Sequence, residues 1–213
     1  MATTKEEETK TTKSENTEIQ IQIHQTKTAP QQPIKLIMFG LSGSGKTTIL
    51  YNLKENNSGS ETTTNPTSEE PIRNPTTERL ITNPTTGFNV ETITHKERTF
   101  TVWDMSCKHQ QVWVHYLHNT YAIMFVVDAN DRNKMTETKH LLRQLLEYEE
   151  LKSALLLVMA NKQDLLEPLN ELELVEGIGL DGVTDRKWFV NPTSAIFGDG
   201  LVQGLDWLCS WVV

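Results

Sequence analysis

Cysteine is scarce in this chain, with only Cys107 and Cys209 among 213 residues. A disulfide framework is therefore not expected, and a reducing intracellular compartment fits better. No apolar run approaches the roughly 20 residues of a membrane-spanning helix. The start of the chain lacks the basic-then-apolar pattern of a secretion signal. Positive charge is in deficit, with 20 Lys and Arg against 28 Asp and Glu, for a net charge of -8. That balance speaks against nucleic acid as a partner and against simple electrostatic docking on anionic membranes. The length suits one α/β domain of roughly 180 residues plus a tail. Such a core is large enough to need neither disulfides nor a structural metal.

Residues 1–32 are rich in Thr, Glu, Lys and Gln. They bury too little apolar area to offset the entropy of ordering them, and read as a disordered tail. Ile19, Ile21 and Ile23 alternate with polar residues there. That spacing fits either a short strand or a chance pattern within the tail. The domain proper, 33–213, begins with a buried strand at Ile34–Phe39, followed by glycines and a helix starting near Lys46. Residues 88–94 and 99–103 read as a strand pair with a turn at 95–98. Residues 121–127 form a continuous apolar strand ending at Asp128, and 154–159 form another. Residues 133–149 have helical spacing, Asn170 and Glu173 resemble a capping box, and 187–190 is a last short strand. Leu201, Leu205, Leu208 and Val212 share one face of a terminal helix. Cys209, beside Leu208, reads as a buried core cysteine and only weakly as an acylation site. Strands alternating with helices, several of them apolar throughout, predict a mostly parallel sheet covered on both faces. In such folds ligands bind at the carboxyl ends of the strands.

A nine-residue repeat interrupts this pattern: Asn65-Pro-Thr, Asn74-Pro-Thr and Asn83-Pro-Thr, with Ile72, Ile81 and Val90 at the same place in each copy. Three short copies are too few for a solenoid, and the X-Pro steps oppose a continuous helix. Residues 55–82 read as a flexible insertion, copied in tandem from the segment beginning at Asn83. A solvated loop and a partner-binding segment both remain open for it.

Two motifs carry the chemistry. Gly40, Leu41, Ser42, Gly43, Ser44, Gly45, Lys46 and Thr47 match G-x-x-x-x-G-K-[ST], followed by Thr48, between a strand and a helix. Glycines let backbone N–H groups turn toward phosphate oxygens, and the helix N-terminus adds partial positive charge. Lys46 is expected to reach the β- and γ-phosphates, and Thr47 to offer its hydroxyl to magnesium. The competing reading is an ordinary glycine-rich strand-to-helix turn. Asn161, Lys162 and Asp164 form N-K-x-D at a strand end. A carboxylate there accepts a pair of hydrogen bonds that guanine can donate and adenine cannot. Alone the motif is weak, but after a phosphate loop it is strong. It also argues against a kinase or ATPase.

The stretches G-L-S-G-S-G-K-T-T-I-L-Y, P-T-T-G-F-N-V-E-T, F-T-V-W-D, F-V-V-D-A-N-D-R, A-N-K-Q-D-L and G-D-G-L-V-Q-G-L-D-W-L resemble the ADP-ribosylation-factor (Arf) and Arf-like small GTPases over roughly residues 34–211, the insertion excepted. The resemblance implies an α/β P-loop fold with a mostly parallel six-stranded sheet and helices on both faces. It implies GTP or GDP and Mg2+ as ligands. By position, Thr85 matches the switch threonine of the magnesium shell, and Asp104 the aspartate that holds magnesium through water. Asn161 and Asp164 match the base readers, with Lys162 flanking the base. Thr193, Ser194 and Ala195 match the loop whose backbone contacts the guanine oxygen. Phe88, Trp103 and Tyr116 match the aromatic trio presented to effectors, though plain core packing also explains them. The family further implies a cytoplasmic monomer, met by exchange and activating proteins, working in vesicle trafficking or signalling at Golgi or endosomal membranes.

The chain departs from the family in two places. Where the family reads D-V-G-G-Q, this chain reads Asp104-Met-Ser-Cys107-Lys108 and is about two residues short. Cys107 replaces the glycine that donates to the γ-phosphate, and Lys108 replaces the glutamine that orients water. Lysine has donors and no acceptor, so it cannot hold the attacking water as glutamine does. Paired with a γ-phosphate about 4 Å away, it would gain up to about 4 kcal/mol before desolvation; a solvated lysine on a loop is the plainer reading. Gln110 and Gln111 lie too far along the chain to stand in on the same backbone path. Ala2 stands where the family's myristoylated glycine would be, so membrane attachment is in doubt. A GTP-binding switch with impaired hydrolysis is the first expectation. The alternative is a pseudo-GTPase interaction module that does not cycle nucleotide.

Overall fold

Alternation within β1 (Ile34–Phe39) sorts its apolar side chains into two cores, one on each face of a sheet. Ile37 and Phe39 face one cluster, and Leu36 and Met38 face the other; all four are fully buried. The computed structural model describes residues 32–57, 72–74, 79–81, 88–105 and 113–212. These lie within one compact unit, Gln31–Val213. After β1 come α1 (Lys46–Asn57), β2 (Ile72–Asn74), β3 (Arg79–Ile81), β4 (Phe88–His95) and β5 (Arg98–Met105). They are followed by β6 (Ala122–Asp128), α2 (Met135–Leu146), β7 (Leu155–Asn161), α3 (Glu171–Ile178), β8 (Trp188–Pro192) and α4 (Leu201–Ser210).

The main sheet has six strands in the order β4-β5-β1-β6-β7-β8. Only the β4–β5 pair is antiparallel; β1 pairs in parallel with β5 and β6, and β7 and β8 continue that direction. The first core takes Leu141, Leu142 and Leu145 of α2 and Leu174 and Ile178 of α3. The second takes Ile49, Leu50 and Leu53 of α1 and Leu201, Leu205 and Leu208 of α4. Strands buried on both sides explain the uninterrupted apolar runs. The capping box forms as expected: Glu173 N donates to Asn170 Oδ1 at 3.0 Å, and Asn170 N to Glu173 Oε2 at 2.9 Å. Among the described residues no helix is long and apolar enough to cross a membrane.

The β4–β5 turn puts Lys96 and Glu97 at φ 47° and 63°, a left-handed conformation that costs side-chain-bearing residues energy. Asp206 of α4 steadies it, meeting Lys96 Nζ at 2.7 Å and His95 Nε2 at 2.5 Å. Lys96, and after it His95, hold the Asp206 carboxyl below its usual pKa.

Three features differ in detail from what the sequence predicts. β7 runs on to Asn161, which carries the start of N-K-x-D to the strand's very end. The stretch read as a loop, 55–82, contains the last turn of α1 and two short strands. Those strands pair antiparallel with Ile72 opposite Ile81, so equivalent positions of two repeat copies meet. The same position in the third copy, Val90, lies in β4. The equivalent position thus lies in a strand in all three copies. Cys209 is half-buried rather than buried. The strand considered at 19–23 lies outside the described residues.

A three-residue ladder is too short to anchor a fold. Deleting residues 65–82, which removes two repeat copies and joins Thr64 to Asn83, should therefore leave a folded, nucleotide-binding protein. Loop-closure entropy predicts a stability change of about 1 kcal/mol or less. Chemical denaturation with GDP titration checks this, and an insoluble or non-binding product would give the repeats a structural role.

Candidate nucleotide site

The phosphate loop leaves β1 at Gly40 with φ 149°, and Gly43 and Gly45 follow at 82° and 99°. These values favour glycine, and space demands it at two positions. A Cβ on Gly40 would collide with Val126 O, and one on Gly45 with Asn161 Nδ2. The loop closes on itself through Ser44 N to Leu41 O at 3.2 Å, and α1 starts with Ile49 N to Gly45 O at 2.9 Å. Lys46 is buried, and its ammonium donates to Gly40 O at 2.8 Å and Leu41 O at 3.0 Å. Its charge is thus folded back onto the Gly40 and Leu41 carbonyls. The Ser44 hydroxyl is buried with no hydrogen-bond partner in the protein. A cradle built this tightly around inward-facing polar groups fits an anion such as a phosphate chain.

The β1–β5 register sets Met38 beside Asp104, at the same edge of the sheet. Asp104 is fully buried, and Thr47 Oγ1 donates to its Oδ2 at 2.8 Å. A hydroxyl and a carboxylate side by side are hard oxygen donors of the kind magnesium takes. Among the described residues no group of three or more His, Cys, Asp or Glu could hold a metal ion. Magnesium suits such a sparse protein set, because it takes its other ligands from phosphates and water. Thr85, Cys107 and Lys108 lie outside the described residues.

At the ends of β7 and β8 the second motif assembles. Asn161 is buried, and both functions of its amide are engaged: Nδ2 donates to Ser44 O at 2.7 Å, and Oδ1 accepts from Ala195 N at 2.8 Å. In this arrangement its side chain joins the phosphate loop to the loop after β8. Asp164 is exposed, and its Oδ1 accepts from Ser194 Oγ at 2.7 Å. Thr193 and Ser194 are held in turn by Thr193 N to Ala160 O at 2.9 Å, Gln163 N to Thr193 O at 3.0 Å and Ser194 N to Asp199 O at 3.0 Å. Lys162 adopts φ 71°, and its ammonium meets Asp128 Oδ2 at 2.5 Å. In the sequence Asp128 closes the apolar run 121–127 and lies in the stretch F-V-V-D-A-N-D-R. A carboxylate closing an apolar run at the ligand edge was the available signal.

The aromatic trio is assembled on the surface. Ring centroids of Phe88 and Trp103 lie 5.5 Å apart, Phe88 and Tyr116 5.0 Å, and Trp103 and Tyr116 5.7 Å. Phe88 is 43% exposed, while the other two are half-buried. Lys35 supports them from below, a residue the sequence reading passed over. Its ammonium sits 5.0 Å from the Trp103 ring centroid and donates to Tyr116 O at 2.5 Å and His118 O at 3.0 Å. Burial lowers its pKa. A lone lysine in an otherwise apolar strand was the clue.

Asp164→Asn would replace a charged acceptor by a neutral one, at a cost of roughly 1.5–3 kcal/mol. GTP affinity should fall about tenfold to a hundredfold, with weaker rejection of xanthine nucleotides. Calorimetric titration with GTP, XTP and ATP measures it, and identical curves for wild type and variant would remove Asp164 from the base site.

Comparison with known proteins agrees with this geometry. The family model described as "ADP-ribosylation factor family" matches residues 20–212. ADP-ribosylation factor K of Dictyostelium discoideum is 41% identical over 178 residues, 83% of this chain and 84% of that protein. Among solved structures, the Arl6 BBS3 small GTPase of Trypanosoma brucei, with bound nucleotide analogue GppNp, superposes with a TM-score of 0.68 at 26% identity. That match covers 84% of this chain and 96% of the other. A phosphate loop and a guanine motif brought to one edge of this sheet, under a family match of this extent, mean that the chain belongs to the ADP-ribosylation factor family of small GTPases.

Proposed function

We propose that this chain is a guanine-nucleotide switch that holds GTP well and hydrolyses it poorly, acting on protein effectors in vesicle trafficking or signalling. The family binds GTP and GDP, and its members meet effectors and regulators. The observation that carries the proposal is a contrast. Thr47 with Asp104, and Asp164 with Ser194, stand in hydrogen-bonded pairs ready for use, whereas the sequence between them departs from the family at Cys107 and Lys108.

Each role follows from the chemistry of the side chain. Lys46 and the backbone of Gly40–Thr48 bind the phosphates. Thr47, Thr85 and, through water, Asp104 hold magnesium, which neutralises charge on the phosphate oxygens when bound. Asp164 reads the base, Lys162 flanks it, and Ser194 and Ala195 line its pocket. Phe88, Trp103 and Tyr116, with Lys35 beneath, form the surface offered to effectors. Large, partly exposed aromatic rings of this kind are favoured anchors for a partner protein. The setting we infer is cytoplasmic, with partners recruiting the protein to Golgi or endosomal membranes.

Phosphoryl transfer to water needs a positioned nucleophile as well as charge stabilisation. Lys108 supplies charge without an acceptor, so water positioning is what the altered segment lacks. An arginine offered by an activator lowers the barrier chiefly when water is already placed. Phosphate release from preloaded GTP should therefore be slow, and an Arf-family activator should accelerate it little. The double substitution Cys107→Gly and Lys108→Gln should raise the single-turnover rate at least tenfold, about 1.4 kcal/mol of barrier. Fast turnover by the wild type would refute impaired hydrolysis and point to another water-orienting residue, such as Gln110.

A further inference from the structure

Ala195 is held from both sides of its peptide group. Its N–H donates to Asn161 Oδ1 at 2.8 Å, and its carbonyl accepts from the side-chain amide of Asn52. Asn52 lies in α1, in the second turn after Lys46, and no nucleotide motif includes it. Asn161 also donates to Ser44 O at 2.7 Å. Ser44, in the phosphate loop, leads directly into α1, so the contacts close a ring: Ser44, Asn161, Ala195, Asn52, and back along the helix. Ala195 is 3% exposed, so its carbonyl depends on a protein donor rather than on solvent.

We infer that Asn52 is a positioning residue for the guanine pocket, fastening the base loop to the helix that carries the phosphate loop. The inference rests on the nucleotide-binding reading of the site and deepens it. Ser194, next to Ala195, bonds the Asp164 carboxylate at 2.7 Å. A shift of Ala195 therefore moves the group that orients Asp164. Asparagine is a poor helix former, and within α1 its tertiary bond is the compensating interaction. Without the Asn52 amide the loop keeps its ties to β7 and to Asp199, through Thr193 N to Ala160 O at 2.9 Å and Ser194 N to Asp199 O at 3.0 Å. It loses its direct bond to α1. The base end then opens while the phosphate end stays formed, and nucleotide leaves faster.

The test is the dissociation rate of fluorescent GDP and of a fluorescent non-hydrolysable GTP analogue from the full chain, with and without a magnesium chelator. Asn52→Asp turns the donor into an acceptor facing Ala195 O. Asn52→Ala removes it and improves helix propensity, which protects the experiment should the aspartate variant fail to fold. Loss of one such hydrogen bond predicts release about fivefold to tenfold faster, equally for both nucleotides. Asn52→Gln, which keeps the donor on a longer arm, should recover part of the loss. The chelator should accelerate release by the same factor in wild type and variants, because independent sites contribute additively in free energy. A general loosening of α1 would instead shrink the chelator effect. Folded alanine and aspartate variants with wild-type release rates would overturn the role of Asn52, as would a diminished chelator effect. A wild type that binds no guanine nucleotide would overturn the site reading itself, a result visible before any variant is made.

Discussion

One buried amide, that of Asn161, holds the two halves of the site in a common frame. It donates to Ser44 O and accepts from Ala195 N, and the phosphate loop must come close enough for both bonds to form. That approach is why position 45 is glycine, since a Cβ there would occupy the place of the Asn161 amide. It is also why β7 must end where it does: one residue earlier or later, a different side chain would meet Ser44. The parallel strands β1, β7 and β8 all point their carboxyl ends to this edge; ladder hydrogen bonds set the spacing between strands, and the two cores pack helices against both faces. The site is therefore a consequence of sheet geometry more than of any loop.

The parts of this arrangement that follow local rules were legible in the sequence. Apolar runs gave β6 and β7, and β1 apart from Lys35, because strands buried on both faces have little polar side to show. The capping box gave the start of α3, and both phosphate and base motifs fell at strand ends as such folds require. Contacts between segments distant in sequence were not legible. Asn52 to Ala195, Lys162 to Asp128 and Lys35 to Tyr116 each join residues whose proximity exists only once the sheet is assembled. Pairing between two repeat copies was not legible for a related reason. Their Asn-Pro steps signal turns, but pairing of Ile72 with Ile81 depends on a partner strand that composition does not reveal.

On the proposed function, the chain separates two activities that a switch protein usually carries together. Lys46, Asn161, Ser194 and Ala195 are buried and hydrogen-bonded within the candidate site. The segment after Asp104 differs from the family's D-V-G-G-Q at all four positions, Met105, Ser106, Cys107 and Lys108. On the proposed function, water positioning depends on one acceptor, which a lysine at that place would not supply.

Retention of guanine nucleotide is the claim on which the rest stands. Its most direct measurement is the nucleotide content of freshly purified full-length protein, released by acid and separated by chromatography. Near-stoichiometric guanine nucleotide with a substantial fraction as GTP is expected, because a tight site with slow hydrolysis keeps what it bound in the cell. Protein that folds yet carries no nucleotide, or carries adenine nucleotide, would contradict it.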